Sequence, residues 1–350
     1  MVVAVERVAH RASRVVHRQA IVPAKMWLWL FFLVPTMWSH PSWGQTGSGF
    51  LISGQADGVK KGEMQLTIFS TPQQTSTAHI RKGHFEFQGS VAGPTVAMLQ
   101  QKRGGDPLYF FLENASVSVL FRPSAPASSP ISGSRTNSQY RYVLELCHDG
   151  NPQPEDCIVA YAHEHRGECF IPFLYYTHLS GERLLEEAAF VDSLLAALHD
   201  VYPYALLQQR VANVARTAVG QPMPDFLFRD LSGREQHFDS VRVADRSHLL
   251  VFIPSWHEAF PSYVDSLRSQ YPSLPLTPVL VDKQPKGWDE PFVSLLDIDH
   301  VPFLILVDAE GTIAARNLRR WEVGRQLESL SRSGRAGRPQ PSADKASTTE

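Results

Sequence analysis

The sequence predicts an α/β C-terminal domain preceded by a small antiparallel all-β domain and a helical middle segment. Three observations carry this reading. Between Gly49 and Arg122 apolar residues recur with period two, and turn residues separate the runs. Between 137 and 219 the apolar spacing changes to three and four, as on one face of a helix. From 220 to 330 short apolar runs alternate with helical stretches, and Leu249–Ile253 reads as a buried central strand.

A chain of 350 residues with 43% apolar content is long enough for two or three domains with real cores. Its formal net charge of −2 gives no reason to expect nucleic acid or an anionic membrane surface as a partner. The three cysteines, Cys147, Cys157 and Cys169, are too few for a disulfide scaffold and wrongly spaced for a zinc ribbon.

Residues 1–44 read as a targeting segment. Arg7, Arg11, Arg14, Arg18 and Lys25 face a single acid, Glu6, and an apolar core follows from Met26 to Trp38. That core is short for a membrane span but suits a signal peptide. Small residues at Ser42 and Gly44 place cleavage before Gln45, and Met26 is an alternative start. The expected location is therefore the periplasm, where association with the outer membrane is open to the protein, with no stable membrane span after cleavage.

Residues 45–123 form the expected β-domain. Phe50–Gly54 precedes a turn at Asp57-Gly58, and Met64–Phe69 alternates cleanly. His79–Phe87 reads as a hairpin around Lys82-Gly83, with His79 and His84 as solvated turn residues. Val96–Leu99, Tyr109–Leu112 and Val117–Phe121 complete the strands, and the spacing suits a sandwich or barrel. Residues 124–136 are rich in proline and serine and read as a linker.

The helical segment, 137–219, is expected to pack on the C-terminal domain or to form an arm between the two β-containing parts. Glu182–His199 carries Leu184, Leu185, Ala188, Val191, Leu194, Leu195 and Leu198 on one stripe, which reads as core. Cys147 and Cys157 bracket a turn at Asp149–Pro152. In an oxidising compartment they can pin two helix ends, at a loop size worth roughly 2.5–3 kcal/mol in the chain-entropy model. A metal site drawn from Cys147, His148, Cys157 and His163 follows no standard ligand spacing. Cys169 reads as a buried thiol. Residues 331–350 are short of apolar side chains and are expected to be disordered.

Residues 220–330 resemble the periplasmic TlpA/ResA-type thioredoxin-like oxidoreductases. The resemblance rests on Gly220-Gln-Pro-Met-Pro-Asp-Phe226, on the Asp230–Arg234 hairpin, and on Leu249–Ile253 followed by Trp256 and a helix. Val279–Asp282 with Trp288, and Val301-Pro302 leading through Asp308 and Gly311 to Ile313, extend it in the right order. It covers about 110 of the 350 residues. The β-domain, through Ile52-Ser-Gly54, Lys82–Gly89 and Phe111–Asn114, resembles the small domain of unassigned function that precedes such modules in exported Bacteroidota proteins.

The resemblance implies a cis bond before Pro302 and a Cys-x-x-Cys pair after Trp256. His257 and Phe260 stand at those two positions, and Val251 stands where many relatives keep a buried carboxylate. A thiol at a helix start is activated by the helix dipole, and a second thiol resolves the mixed disulfide. Neither histidine nor phenylalanine can take those roles. No catalytic residue is therefore assigned. Trp256, His257, Val301 and Pro302 are the candidate binding groove, with an envelope peptide or protein as partner and no metal or cofactor. The alternative is a thiol–disulfide oxidoreductase working through relocated Cys147 and Cys157. An acid–base or metal site built on His257, Glu258, Asp299 and His300 is a third reading.

Overall fold

Alternation of buried and exposed residues builds the first unit of the chain. The computed structural model describes residues 49–70, 72–148, 150–198, 202–255 and 260–336, so the expected targeting segment and residues 337–350 lie outside the described residues. These residues form two units that divide in sequence between Gln208 and Gln209.

In the first unit, strands β1 (Phe50–Ala56), β2 (Lys61–Ile68), β3 (Gln74–Arg81), β4 (His84–Gly89), β5 (Thr95–Gln101), β6 (Leu108–Leu112), β7 (Ser116–Phe121) and β8 (Ile131–Ser132) share one curled sheet. Its order is β6-β5-β2-β3-β4-β1-β7-β8. Ile52, Met64, Leu66, Leu99, Leu112 and Phe121 meet in a single core. Each such side chain contributes about 1.5–3 kcal/mol by leaving water. Lys82 (φ 52°) and Gly83 (φ 88°) turn β3 into β4, as a two-residue hairpin with both residues at positive φ requires. Gly54 faces Phe85 across the β1–β4 pair, and a Cβ at Gly54 would lie 2.0 Å from that ring.

Two expectations need correction here. The sheet is mixed, because β1 pairs parallel with β7 from Leu51–Ser116 to Ala56–Phe121. Alternation fixes which face is buried, but strand direction depends on pairing partners far apart in sequence. The proline/serine-rich stretch is also fastened to the sheet. Ile131 and Ser132 pair with β7, and the Ser129 hydroxyl accepts the Arg122 amide hydrogen at 3.0 Å.

The helices from Arg135 to Ala197 group with this sheet in the first unit, whereas the end of the expected helical segment, from Gln209 on, groups with the C-terminal unit. Helices α1 (Arg135–His148), α2 (Pro154–Glu164) and α3 (Ile171–His178) follow, and Tyr140 of α1, Phe170 just before α3 and Phe173 within it lie edge-on to Phe111, at 5.2, 6.1 and 5.6 Å between ring centroids. Asn137 serves the edge strand β6 as another strand would. Its side-chain oxygen accepts the Phe111 amide hydrogen at 2.9 Å, and its amide donates to the Phe111 carbonyl at 2.5 Å. The helix expected over 182–199 is two, α4 (Gly181–Glu186) and α5 (Ala188–Ala197), with Glu187 between them. Glu187 takes His163 at 2.8 Å and the Tyr175 hydroxyl at 3.4 Å. Helix α6 (Tyr204–Arg216) crosses the boundary between the units.

In the second unit, strands β11 (His248–Ile253), β12 (Leu276–Leu280), β13 (Phe303–Val307) and β14 (Ile313–Ala315) form a sheet in the order β12-β11-β13-β14. A short hairpin, β9 (Leu227–Arg229) with β10 (Glu235–His237), stands apart. β11 runs parallel to β12 and antiparallel to β13, and β13 is antiparallel to β14. Every residue of β11 and β13 is buried, as a sheet covered on both faces requires. Leu250 and Phe252 join Phe226, Phe238 and Phe292 on one face. Leu249 and Val251 join Leu267, Leu304 and Val323 on the other. Val251 thus fills apolar core.

The C-terminal part of α6 is tied to this unit. Arg210 grips the Asp297 carboxylate at 2.7 and 3.2 Å, and the Asn213 amide donates to the Ser294 carbonyl at 2.9 Å. The last helix, α10 (Val323–Ala336), follows α7 (Phe238–Val241), α8 (Phe260–Gln270) and α9 (Pro291–Leu295), and runs past residue 330, into the stretch expected to be disordered. Among the described residues, no helix is long and apolar enough to cross a membrane.

Candidate functional site

The candidate site lies where β11 and β14 end and β13 begins. Strand β11 leads into Pro254, which is buried, and Ser255. Asp282, just after the parallel strand β12, fastens this turn: it accepts the Ser255 amide hydrogen at 2.6 Å and also the Ser255 hydroxyl. Trp256, His257 and Glu258 lie outside the described residues, as does the side chain of Phe260, whose backbone opens α8.

The opposite wall is the loop before β13. The Val301–Pro302 bond is cis, and Val301 packs against the core beneath it. Of the four candidate groove residues, the structure therefore places Val301 and Pro302. Beside them His300 Nδ1 lies 2.6 Å from Asp299 Oδ1. Desolvation pushes the Asp299 carboxyl up, but the hydrogen bond and charge of His300 together with the Arg210 charge outweigh it and hold the carboxyl below its usual range. His300 meets Phe303 edge-on at 5.4 Å, and Arg316 covers that ring at 5.7 Å while donating to the Leu296 and Thr217 carbonyls.

Pro302 borders an open groove of about 790 Å³. Tyr263 of α8 and His300 line it, together with Arg319, Arg320 and Trp321 from the turn between β14 and α10. Trp321 is 70% exposed, and the Arg319 guanidinium sits 5.5 Å above its ring. Arg320 donates to the Ser266 hydroxyl. Burial pushes the Tyr263 phenol up, so it stays protonated as a donor. The residues 319–321 were not singled out from the sequence. The signal was an Arg-Arg-Trp run at the junction of a strand and a helix, where an indole has no core to enter.

The other candidates resolve differently. Cys147 and Cys157 are joined in a disulfide, with Cα atoms 5.4 Å apart, between the end of α1 and the start of α2. Their thiolates are therefore not ligands for a metal with His148 and His163. Cys169 is half-buried, and burial pushes its thiol up to about 11. His79 is an exposed partner of Glu63 at 3.6 Å. Among the described residues, no group of three or more His, Cys, Asp or Glu side chains is arranged to hold a metal ion.

A parallel β–α–β unit, a cis-proline turn and an antiparallel hairpin closed by a helix define the second unit as thioredoxin-like. Residues 50–140, in the first unit, match a family described as a domain of unknown function (DUF4369). Among solved structures, the chain is similar to a thiol-disulfide oxidoreductase from Bacteroides fragilis, with 17% identity and TM-score 0.27 over 31% of this chain and 99% of that one. The thioredoxin domain of a thiol-disulfide oxidoreductase from Bacteroides vulgatus is 20% identical, with TM-score 0.24 over 32% and 97%. A thioredoxin-like protein from Bacteroides caccae is 16% identical, with TM-score 0.36 over 55% and 83%. No curated protein matches the chain.

Proposed function

We propose that the chain is an exported cell-envelope protein whose thioredoxin-like unit binds an extended peptide segment of a partner protein and performs no dithiol chemistry. The observation that carries this reading is a groove beside a cis-proline in a unit without sulfur nucleophiles. No cysteine occurs after Cys169, and the groove offers a phenol, two guanidiniums, an imidazole and an indole. Such groups bind by hydrogen bonding, stacking and charge; none is a thiol that could exchange with a disulfide. The basic and apolar leader and the Cys147–Cys157 bridge both suit an oxidising compartment such as the periplasm.

Relocated redox chemistry at Cys147 and Cys157 has less support. Cys147 is fully buried and Cys157 only half-buried, so at most one sulfur of the bridge is open to an attacking thiolate. Panning a displayed peptide library on the chain from residue 45 onward, beside its Trp321→Ala variant, tests the binding reading. Enrichment of a peptide class that Trp321→Ala weakens is the expected result. No enrichment, or enrichment that Trp321→Ala leaves intact, refutes it.

A further inference from the structure

We infer that the Pro302 groove selects an acidic peptide segment carrying an aromatic or large apolar side chain; the inference rests on the binding reading above. Among the described residues, the side chains with a fixed charge that line the groove, Arg319 and Arg320, are of one sign, and His300 lines it with them. Among the described residues, neither Arg319 nor Arg320 forms an ion pair. Their present partners are neutral: the Trp321 ring for Arg319 and the Ser266 hydroxyl for Arg320.

Two acids that neighbour the groove residues in sequence are engaged elsewhere. Asp299 is held by His300 at 2.6 Å. Glu322 accepts the Arg319 amide hydrogen at 2.8 Å, closing the turn into α10, and lies 3.5 Å from Arg325. Two guanidiniums therefore remain to meet incoming carboxylates with charge-assisted, bidentate hydrogen bonds. Trp321, exposed at the groove and capped by Arg319, offers a face for a side chain to lie on. Aromatic and arginine side chains are the types that carry most binding energy at protein interfaces. The pattern fits carboxylates on either side of an aromatic residue, in a chain extended along Pro302.

The test is fluorescence anisotropy on the full chain with three short labelled peptides. One has Glu on both sides of a central Phe, and the others replace each Glu by Gln or by Lys. The acidic peptide should bind about tenfold more tightly than the neutral one, lose affinity about threefold or more between roughly 50 and 300 mM salt, and outbind the basic one further. Arg319→Gln with Arg320→Gln should remove that preference. Arg332→Gln, on the exposed surface of α10, should keep it; far-ultraviolet dichroism and melting checks that each variant is folded. Trp321→Ala should weaken acidic and neutral peptides alike. If the three peptides bind equally and the double variant changes nothing, the acidic preference is wrong while peptide binding stands. If none binds, the inference and the binding reading fail together.

Discussion

Replacing both Cys147 and Cys157 by serine isolates what the disulfide contributes to the first unit. The two residues are ten apart in sequence. In the chain-entropy model, closing a loop of that size removes about 9 cal/mol/K from the unfolded ensemble, or about 2.5–3 kcal/mol at 25 °C. The unit described here spans residues 49–208, and a domain of that size shifts its melting temperature by about 2–4 °C per kcal/mol. The double variant should therefore melt about 5–12 °C lower in the transition assigned to this unit. Calorimetry on the intact chain, compared with the chain under reductant, reads it. Reduction should reproduce the serine variant's shift, because both release the same loop. A shift below about 1 °C in both would show that Cys147 and Cys157 do not constrain the unfolded chain, and would refute the structural role of the bridge.

Other expectations follow from single contacts. Gly54→Ala places a methyl carbon against the Phe85 ring and should destabilise by about 1–3 kcal/mol in urea unfolding; an unchanged midpoint would contradict that packing. Asp297→Ala leaves the Arg210 guanidinium, only 12% exposed, without its carboxylate and should cost about 3–5 kcal/mol in the thioredoxin-like unit. His248 is buried and 2.8 Å from the Thr277 hydroxyl, and burial, aided by the Arg242 charge, pushes its pKa down to about 4. The unfolded chain takes this proton near pH 6.5 and the folded chain does not, so stability is complete above about 6.5 and falls as pH drops toward 4. The loss should be about 1–3 kcal/mol, and His248→Leu should remove that part of the pH dependence measured by urea midpoints.

The parts of the fold that local pattern encodes were legible in the sequence. Period-two runs located most strands of the first sheet, Lys82-Gly83 announced its hairpin, and Leu249–Ile253 stood out because both faces of β11 are covered. What local pattern does not encode had to come from the structure. The parallel pairing of β1 with β7 joins strands that are far apart in sequence, with five strands between them. Asn137 reads as an ordinary polar residue, and only its place opposite Phe111 shows that it closes a strand edge. Arg210 and Asp297 are 87 residues apart, so the tie between α6 and the second unit has no local signature. At the site, Val301-Pro302 was visible through its family resemblance. Arg319, Arg320 and Trp321 were not, because a basic run before a helix looks like a solvated surface until a groove forms beside it.

The most direct test of the central claim is a disulfide-reductase assay on three forms of the chain from residue 45 onward: unaltered, with Cys147, Cys157 and Cys169 all changed to serine, and with His257→Cys and Phe260→Cys. The account predicts no turnover in the first two and turnover in the third, since the thioredoxin-like scaffold remains and the third form restores both thiols after Trp256. Turnover in the unaltered chain that disappears in the serine form would contradict it, and would place redox chemistry at the cysteines of the first unit.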